Sequence, residues 1–210
     1  MQLIQRALEL LLVMIAGSMA IVSATGNAQK VTIRTAVPNE AKLLTSTIND
    51  AYVDYRRFNR GGGQRCNPDG SKVQGLMKTP NNVFLIAEEG CCDGTKRILG
   101  CIHVDWSGRT IDGSDRRGFL ASIAMLSVLK EFRRRGIGEL LVKAAESRCR
   151  EEIGREYCME LVVLSNMRGV ISWYQTRGYE LGRAIPFPAP EFLSERYQDL
   201  FMQILTKTIT

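Results

Sequence analysis

The strongest constraint on this chain is the stretch Arg133-Arg134-Arg135-Gly136-Ile137-Gly138, which separates an apolar run from a well-patterned helix. Upstream, Leu120 to Leu129 is apolar apart from Ser122 and Ser127 and reads as a buried strand. Downstream, Ile137, Leu140, Leu141, Ala144 and Ala145 recur at helical spacing. Glu139–Lys143 and Glu146–Arg150 are i,i+4 pairs expected on the solvent side of that helix. The helix therefore begins at the glycines, with three arginines against its N-terminus. For a helix alone the charge has the wrong sign, because cations favour the C-terminal end of the dipole. Glycine in a first turn also costs about 1 kcal/mol relative to Ala. Both choices make sense if the turn holds an anion. Glycines let a phosphate reach the free N–H groups, and arginines add charge-assisted hydrogen bonds. The turn reads as a pyrophosphate cradle.

The residues after Gly138 exclude several kinds of cradle. A P-loop needs Gly-Lys-Ser/Thr, and Glu139-Leu140 stands there. A dinucleotide fingerprint needs a third small residue at the position of Leu141. Arg133-x-x-Gly136-x-Gly138 instead resembles the [Arg/Gln]-x-x-Gly-x-[Gly/Ala] acyl-CoA signature of the GNAT superfamily of N-acetyltransferases. A second element of the resemblance lies at the right distance downstream. Met159 to Leu164 reads as another buried strand, then Ser165-Asn166, then a short helix from Arg168 to Arg177 ended by Gly178. Asn166, Trp173-Tyr174 and Gly178-Tyr179 resemble the family's Asn-(x)n-[Phe/Trp]-Tyr-x-x-x-Gly-[Phe/Tyr] element. The resemblance runs from about Val31 to the C-terminus.

The rest of the chain is consistent with one domain of this kind. Val31 to Ala36 is a first strand, and Pro38 opens a helix to about Arg57 with Ala41, Leu44, Ile48 and Ala51 on one face. A glycine-rich loop runs from Gly61 to Gly70, and Val73 to Met77 forms a second short helix. Val83–Glu88 and Ile98–Trp106 form a hairpin, and a polar turn from Ser107 to Arg117 leads into the strand before the cradle. Tyr179–Arg183 and Leu200–Thr208 are the last strands, joined by a Pro-rich loop from Ile185 to Asp199. The resemblance implies the GNAT acyl-CoA N-acyltransferase fold, α/β (α+β), with a mixed, mostly antiparallel twisted sheet and helices on both faces.

Composition narrows the alternatives. Of the 210 residues 45% are hydrophobic, enough for a real core, and the net charge is +6. The basic residues are scattered apart from Lys130 and Arg133–Arg135, with no aromatic-interleaved stripe, so no nucleic-acid partner is expected. Six cysteines show no C-x-x-C pair and His103 is the single histidine, so no metal is expected. One histidine and no G-x-S-x-G also argue against a Ser-His-Asp hydrolase. Cys101 and Cys149 fall on apolar faces, where free buried thiols are common. Residues 1–29 are expected to lie outside the 30–210 domain. Leu10 to Val22 gives thirteen apolar or small residues, too few for a comfortable membrane span. A cytoplasmic location is expected, with the secretory pathway or an organelle as alternative if that segment is a signal. A start at Met19 would remove most of it.

The resemblance also implies a mechanism. The fourth and fifth strands, Leu120–Leu129 and Met159–Leu164, would splay to admit acetyl-CoA as cosubstrate. Backbone groups of Leu126, Ser127 and Val128 would pair with the pantetheine arm, and Arg133, Arg134, Arg135, Gly136, Ile137 and Gly138 would hold the pyrophosphate. Asn166 would contribute to cofactor binding, and Tyr174 would protonate the leaving thiolate. The acceptor would be a primary amine, on a small molecule or a peptide. An alkyl ammonium with pKa near 10.4 costs about 4 kcal/mol to deprotonate at neutral pH, so a base is needed. Many relatives carry a Glu on the fourth strand, and Leu120–Leu129 contains no acid. His103, Asp105 and Glu131 are the candidates from sequence.

Overall fold

The protein, seen in a computed structural model, is described for residues 30–58, 65–91, 94–108, 119–187, 191 and 193–210. The N-terminal apolar segment, the Gly61–Gly63 stretch and most of the Ser107–Arg117 turn lie outside the described residues. The elements are β1 (Val31–Thr35), α1 (Ala41–Ala51), α2 (Ser71–Lys78), β2 (Asn82–Gly90), β3 (Lys96–Asp105), β4 (Leu120–Val128), α3 (Ile137–Ile153), β5 (Tyr157–Leu164), α4 (Arg168–Gln175), β6 (Glu180–Pro186) and β7 (Phe201–Ile209). They build one seven-stranded sheet in the order β1-β2-β3-β4-β5-β7-β6. Every neighbouring pair is antiparallel except β4 and β5. This is the mixed, mostly antiparallel architecture that the motifs implied.

Two apolar layers sandwich the sheet. On one face Ile137, Leu141, Ala145 and Cys149 of α3 pack on Leu99, Ile102, Ile123, Met159 and Leu161. On the other, Leu44 and Ile48 of α1 and Val73 of α2 pack on Phe84, Ile86 and Cys101. Strand alternation sends successive side chains to these two layers, and so the central strands are apolar at most positions on both faces. Cys101 and Cys149 are buried free thiols, and burial pushes each up to about 12, far from reactive thiolate.

Two expectations need correction. The helix from Pro38 is not continuous: it is a 3-10 turn at Pro38–Glu40, then α1, then a second 3-10 stretch at Val53–Phe58. The break follows Ala51, whose carbonyl accepts from Arg133 Nη2 at 2.8 Å. Glu146 does not pair with Arg150 on a solvent face. Its carboxylate accepts from Lys207 (2.9 Å) and the Tyr179 hydroxyl (3.0 Å), while Arg150 Nε donates to the Thr210 carbonyl. Lys207 of β7 and Tyr179, just before β6, reach that side of α3 and recruit the acid. Glu139–Lys143 does form, at 2.8 Å. The strand boundaries otherwise differ from the pattern by one to three residues, the usual fraying of ends.

Candidate active site

The sheet opens where the chemistry was expected. β4 and β5 pair only through Leu120↔Cys158, Ala121↔Met159 and Ser122↔Glu160. Beyond that point Leu161–Leu164 pair with β7 alone, and Gly100–Cys101 of β3 pair with Ser127–Val128. The β5 side of β4 is therefore unpaired from Ile123 onward, and the two strands enclose a wedge. A bulge between Cys101 and His103 in the β3 register falls at Met125, a non-glycine residue with φ 52°. Such a bulge sharpens the local twist and re-aims the following residues.

Strand alternation decides which backbone groups face the wedge. The Leu129 N–H donates to the Leu99 carbonyl at 3.0 Å, which turns Leu129 and Ser127 toward β3. Leu126 and Val128 consequently present their N–H and C=O groups to the opening. Ser127 does not, and its buried hydroxyl donates to the Met125 carbonyl at 2.9 Å. Of the three residues expected along the pantetheine arm, Leu126 and Val128 turn their backbone toward the opening, where the Val128 carbonyl accepts from Arg133 Nε at 3.1 Å, and Ser127 turns away.

The turn after β4 is coiled by two left-handed residues, Arg134 (φ 62°) and Gly136 (φ 76°). Gly136 is the residue before α3, and no side chain caps the helix. The first intrahelical bond runs from the Leu140 N–H to the Gly136 carbonyl at 3.0 Å, leaving the N–H groups of Ile137, Gly138 and Glu139 outside the helical ladder. A Cβ built on Gly136 meets nothing within 4 Å, so the space above the turn is open. At Gly138 it would meet the Trp173 ring at 3.6 Å, an ordinary contact that an alanine would also satisfy. A pocket of about 190 Å³ lies over these groups, walled by Val128, Arg134, Gly136, Gly138, Trp173 and Arg177. Left-handed turns that line up N–H groups at a helix start form anion-binding concavities.

The three arginines do not act together, which corrects the reading of them as one cluster. Arg135 turns away and donates to the buried Glu89 at 2.8 Å. Arg133 is tied to the Ala51 carbonyl (2.8 Å) and the Val128 carbonyl (3.1 Å), with Asp54 at 3.7 Å. Arg133 and Arg134 both line the pocket and are exposed, and of the three only Arg134 has no partner among the described residues. Sequence reasoning missed Arg177, whose guanidinium stacks 3.8 Å from the Trp173 ring centre and donates to Glu139 at 2.8 Å. Its i,i+4 spacing from Trp173 was the available signal.

Tyr174 lies on α4 at 5% exposure, edge-to-face with Trp173 (4.8 Å) and Tyr179 (5.4 Å). Burial raises its pKa, neighbouring Tyr52 and Tyr55 add to the rise, and Arg177 opposes it, so the phenol stays protonated. Asn166 is exposed in the turn between β5 and α4.

The candidate bases fare poorly. His103 is buried, with Nε2 2.8 Å from Asn82 Oδ1 and its ring on Phe84, and burial lowers it to about 4. Asp105 Oδ1 accepts the Ser107 N–H at 2.7 Å, closing the end of β3. Glu131 is exposed on the 3-10 turn Lys130–Phe132. Among the described residues no three His, Cys, Asp or Glu side chains converge as a metal site, and no helix is long and apolar enough to cross a membrane.

Comparisons with known proteins agree with this geometry. Residues 80–181 match the profile described as an acetyltransferase (GNAT) domain. The fold is similar to yncA from Salmonella typhimurium, solved with its cofactor acetyl-CoA, at 15% identity and TM-score 0.61, covering 86% of this chain and 94% of that one. It is also similar to a ribosomal-protein-alanine N-acetyltransferase from Brucella melitensis, at 15% identity and TM-score 0.60, covering 84% and 99%. A GCN5-related N-acetyltransferase from Kribbella flavida gives 16% identity and TM-score 0.60, covering 85% and 98%. No curated protein matches the sequence. The profile match spans β4, the Arg133–Gly138 turn and α4, so residues 80–181 of this chain are similar to a GNAT acetyltransferase domain.

Proposed function

We propose that the protein transfers an acetyl group from acetyl-CoA to a primary amine, on a small molecule or a peptide, within the 30–210 unit. The observation that carries this reading is the junction of an unpaired β4 edge with an uncapped helix start under open space. Those residues fit acetyl-CoA. The N–H groups of Ile137 and Gly138, with Arg134 at the rim, suit a pyrophosphate, and Leu126 and Val128 suit an amide-bearing arm.

When bound there, acetyl-CoA supplies an activated acyl group as a thioester. The chain's own residues do the rest. The Leu126 N–H, just past the bulge, is directed to where negative charge develops on the thioester oxygen, and a fixed backbone dipole in a dry cleft needs little reorganisation. An amine attacks directly, so no nucleophilic side chain is required. Tyr174 keeps its proton at neutral pH and can share it with the departing sulfur. In the reference state a phenol near 10 and a thiol near 8.5 already differ by about 2 kcal/mol, and burial of Tyr174 widens the gap. Its role is therefore a strong hydrogen bond to the developing thiolate, with transfer completed as the thiolate itself is desolvated.

The test is release of free CoA thiol from acetyl-CoA across a panel of amines and short peptides, with products weighed by mass spectrometry. Thiol release that depends on the amine and yields the acetylated amine is expected. CoA binding without turnover across the panel would mark a silent acyl-CoA-binding domain instead.

A further inference from the structure

Glu160 is a buried carboxylate that the motifs do not account for. It sits at 1% exposure in the middle of β5, between Met159 and Leu161 of the α3-side core. Alternation turns its side chain to the opposite face, in a row with its register partners Ser122 of β4 and Thr206 of β7. The Ser122↔Glu160 pair is the last one joining β4 to β5. Glu160 therefore stands at the vertex of the wedge. Carboxylates are seldom fully buried, and one at the floor of a cleft is a candidate for proton transfer.

We infer that Glu160 is the general base that accepts the proton of the acceptor ammonium, and that the acceptor amine enters from the α1 side of the sheet. This rests on the acetyl-transfer reading above. From Leu126 to Ser122 is four residues, roughly 13 Å at ~3.3 Å each, and the bulge at Met125 shortens it. A thioester carbonyl at the Leu126 N–H, an amine beside it and the Glu160 side chain span that interval, directly or through one water. The alternatives are placed elsewhere: His103 is held by Asn82, Asp105 accepts the Ser107 N–H, and Glu131 is exposed after β4.

The proton count closes. At neutral pH roughly one alkylamine in a few thousand is unprotonated. The ammonium gives one proton to Glu160, which passes it to solvent. The nitrogen lone pair then forms the C–N bond as the C–S bond breaks. The sulfur takes a proton from Tyr174, which is restored by the second proton of the nitrogen, and the third stays on the amide.

Two readouts separate a base from a structural carboxylate. Glu160→Gln keeps size and polarity, and calorimetry should show acetyl-CoA bound as in the wild type. Its turnover of the best alkylamine should fall by roughly 10²–10⁴. With the β-difluorinated analogue of that amine, already neutral at the assay pH, the loss should shrink to within about tenfold. In the CoA-bound protein the variant should also bind the ammonium more weakly, and the fluorinated amine unchanged. Equal losses for both amines, or no loss, would overturn the assignment while leaving acetyl transfer intact. Should Glu160→Gln not fold, Glu160→Asp keeps the charge and draws it back, and the same dependence on amine basicity is expected; its absence overturns the proposal. A wild type that acetylates no amine ends the underlying reading and this one with it.

Discussion

Two glycines two positions apart should respond oppositely to a side chain. Gly136 holds φ 76° with open space above it, whereas Gly138 is helical with the Trp173 ring 3.6 Å from where a Cβ would sit. Gly136→Val forces a branched residue into the left-handed region, costing about 1–2 kcal/mol, with no clash against protein to add. For a chain of this size that lowers Tm by roughly 2–8 °C, and the fold persists. The isopropyl group, however, occupies the space through which a phosphate would approach the Ile137 and Gly138 N–H groups. Losing two charge-assisted hydrogen bonds, at about 1.5–3 kcal/mol each, weakens CoA binding by at least about a hundredfold. Gly138→Ala gains up to about 1 kcal/mol of helix propensity and leaves CoA affinity near wild type. Calorimetric titration with CoA and thermal melts on both variants decide the matter. A folded Gly136→Val protein with unchanged CoA affinity would refute the cradle, as would a Gly138→Ala protein that loses it.

The same geometry predicts further outcomes. Tyr174→Phe removes only the hydroxyl, so Tm should hold and turnover should fall by roughly 10²–10⁴, with acetyl-CoA affinity unchanged; a loss below about threefold in steady-state kinetics would rule out the acid role. Arg134→Ala should weaken CoA binding by roughly tenfold with little effect on Tm, whereas Arg135→Ala should lower Tm, because the buried Glu89 loses a partner, and leave CoA binding alone. Arginine and lysine partners hold the carboxyls of Glu40, Glu88 and Glu89 below the usual range. Their contribution is complete above the unfolded pKa near 4.3 and is lost as pH falls through the lower folded values, so Tm should be flat at about pH 5–8 and drop in acid; a flat Tm down to about pH 3 would contradict it. A chain beginning at Gln29 should melt cooperatively and bind CoA like the full chain; insolubility would place the leading segment within the domain.

The order of elements was legible because each carries its own periodicity, and the two motifs lie on the elements expected of them. The side-chain partnerships were not. Arg133, Arg134 and Arg135 are adjacent and chemically identical in sequence. They diverge because Arg134 is left-handed, because Glu89 on β2 captures Arg135, and because the end of α1 captures Arg133. Neither Glu89 nor Ala51 lies within thirty residues of the turn. Glu160 reads in sequence as one polar residue in an apolar strand. Its position at the wedge comes only from its register with Ser122, which no local pattern encodes. Likewise Glu146 meets Lys207 and Tyr179, more than thirty residues away in the chain, through the topology of the sheet.

The most direct test is a crystal structure of the protein with CoA. The pyrophosphate should lie within hydrogen-bond distance of the Ile137 and Gly138 N–H groups beneath Arg134. The pantetheine arm should run along the Leu126 and Val128 backbone into the wedge, its sulfur pointing to the Tyr174 hydroxyl. CoA bound elsewhere, or a pyrophosphate held by side chains away from the α3 start, would contradict the account.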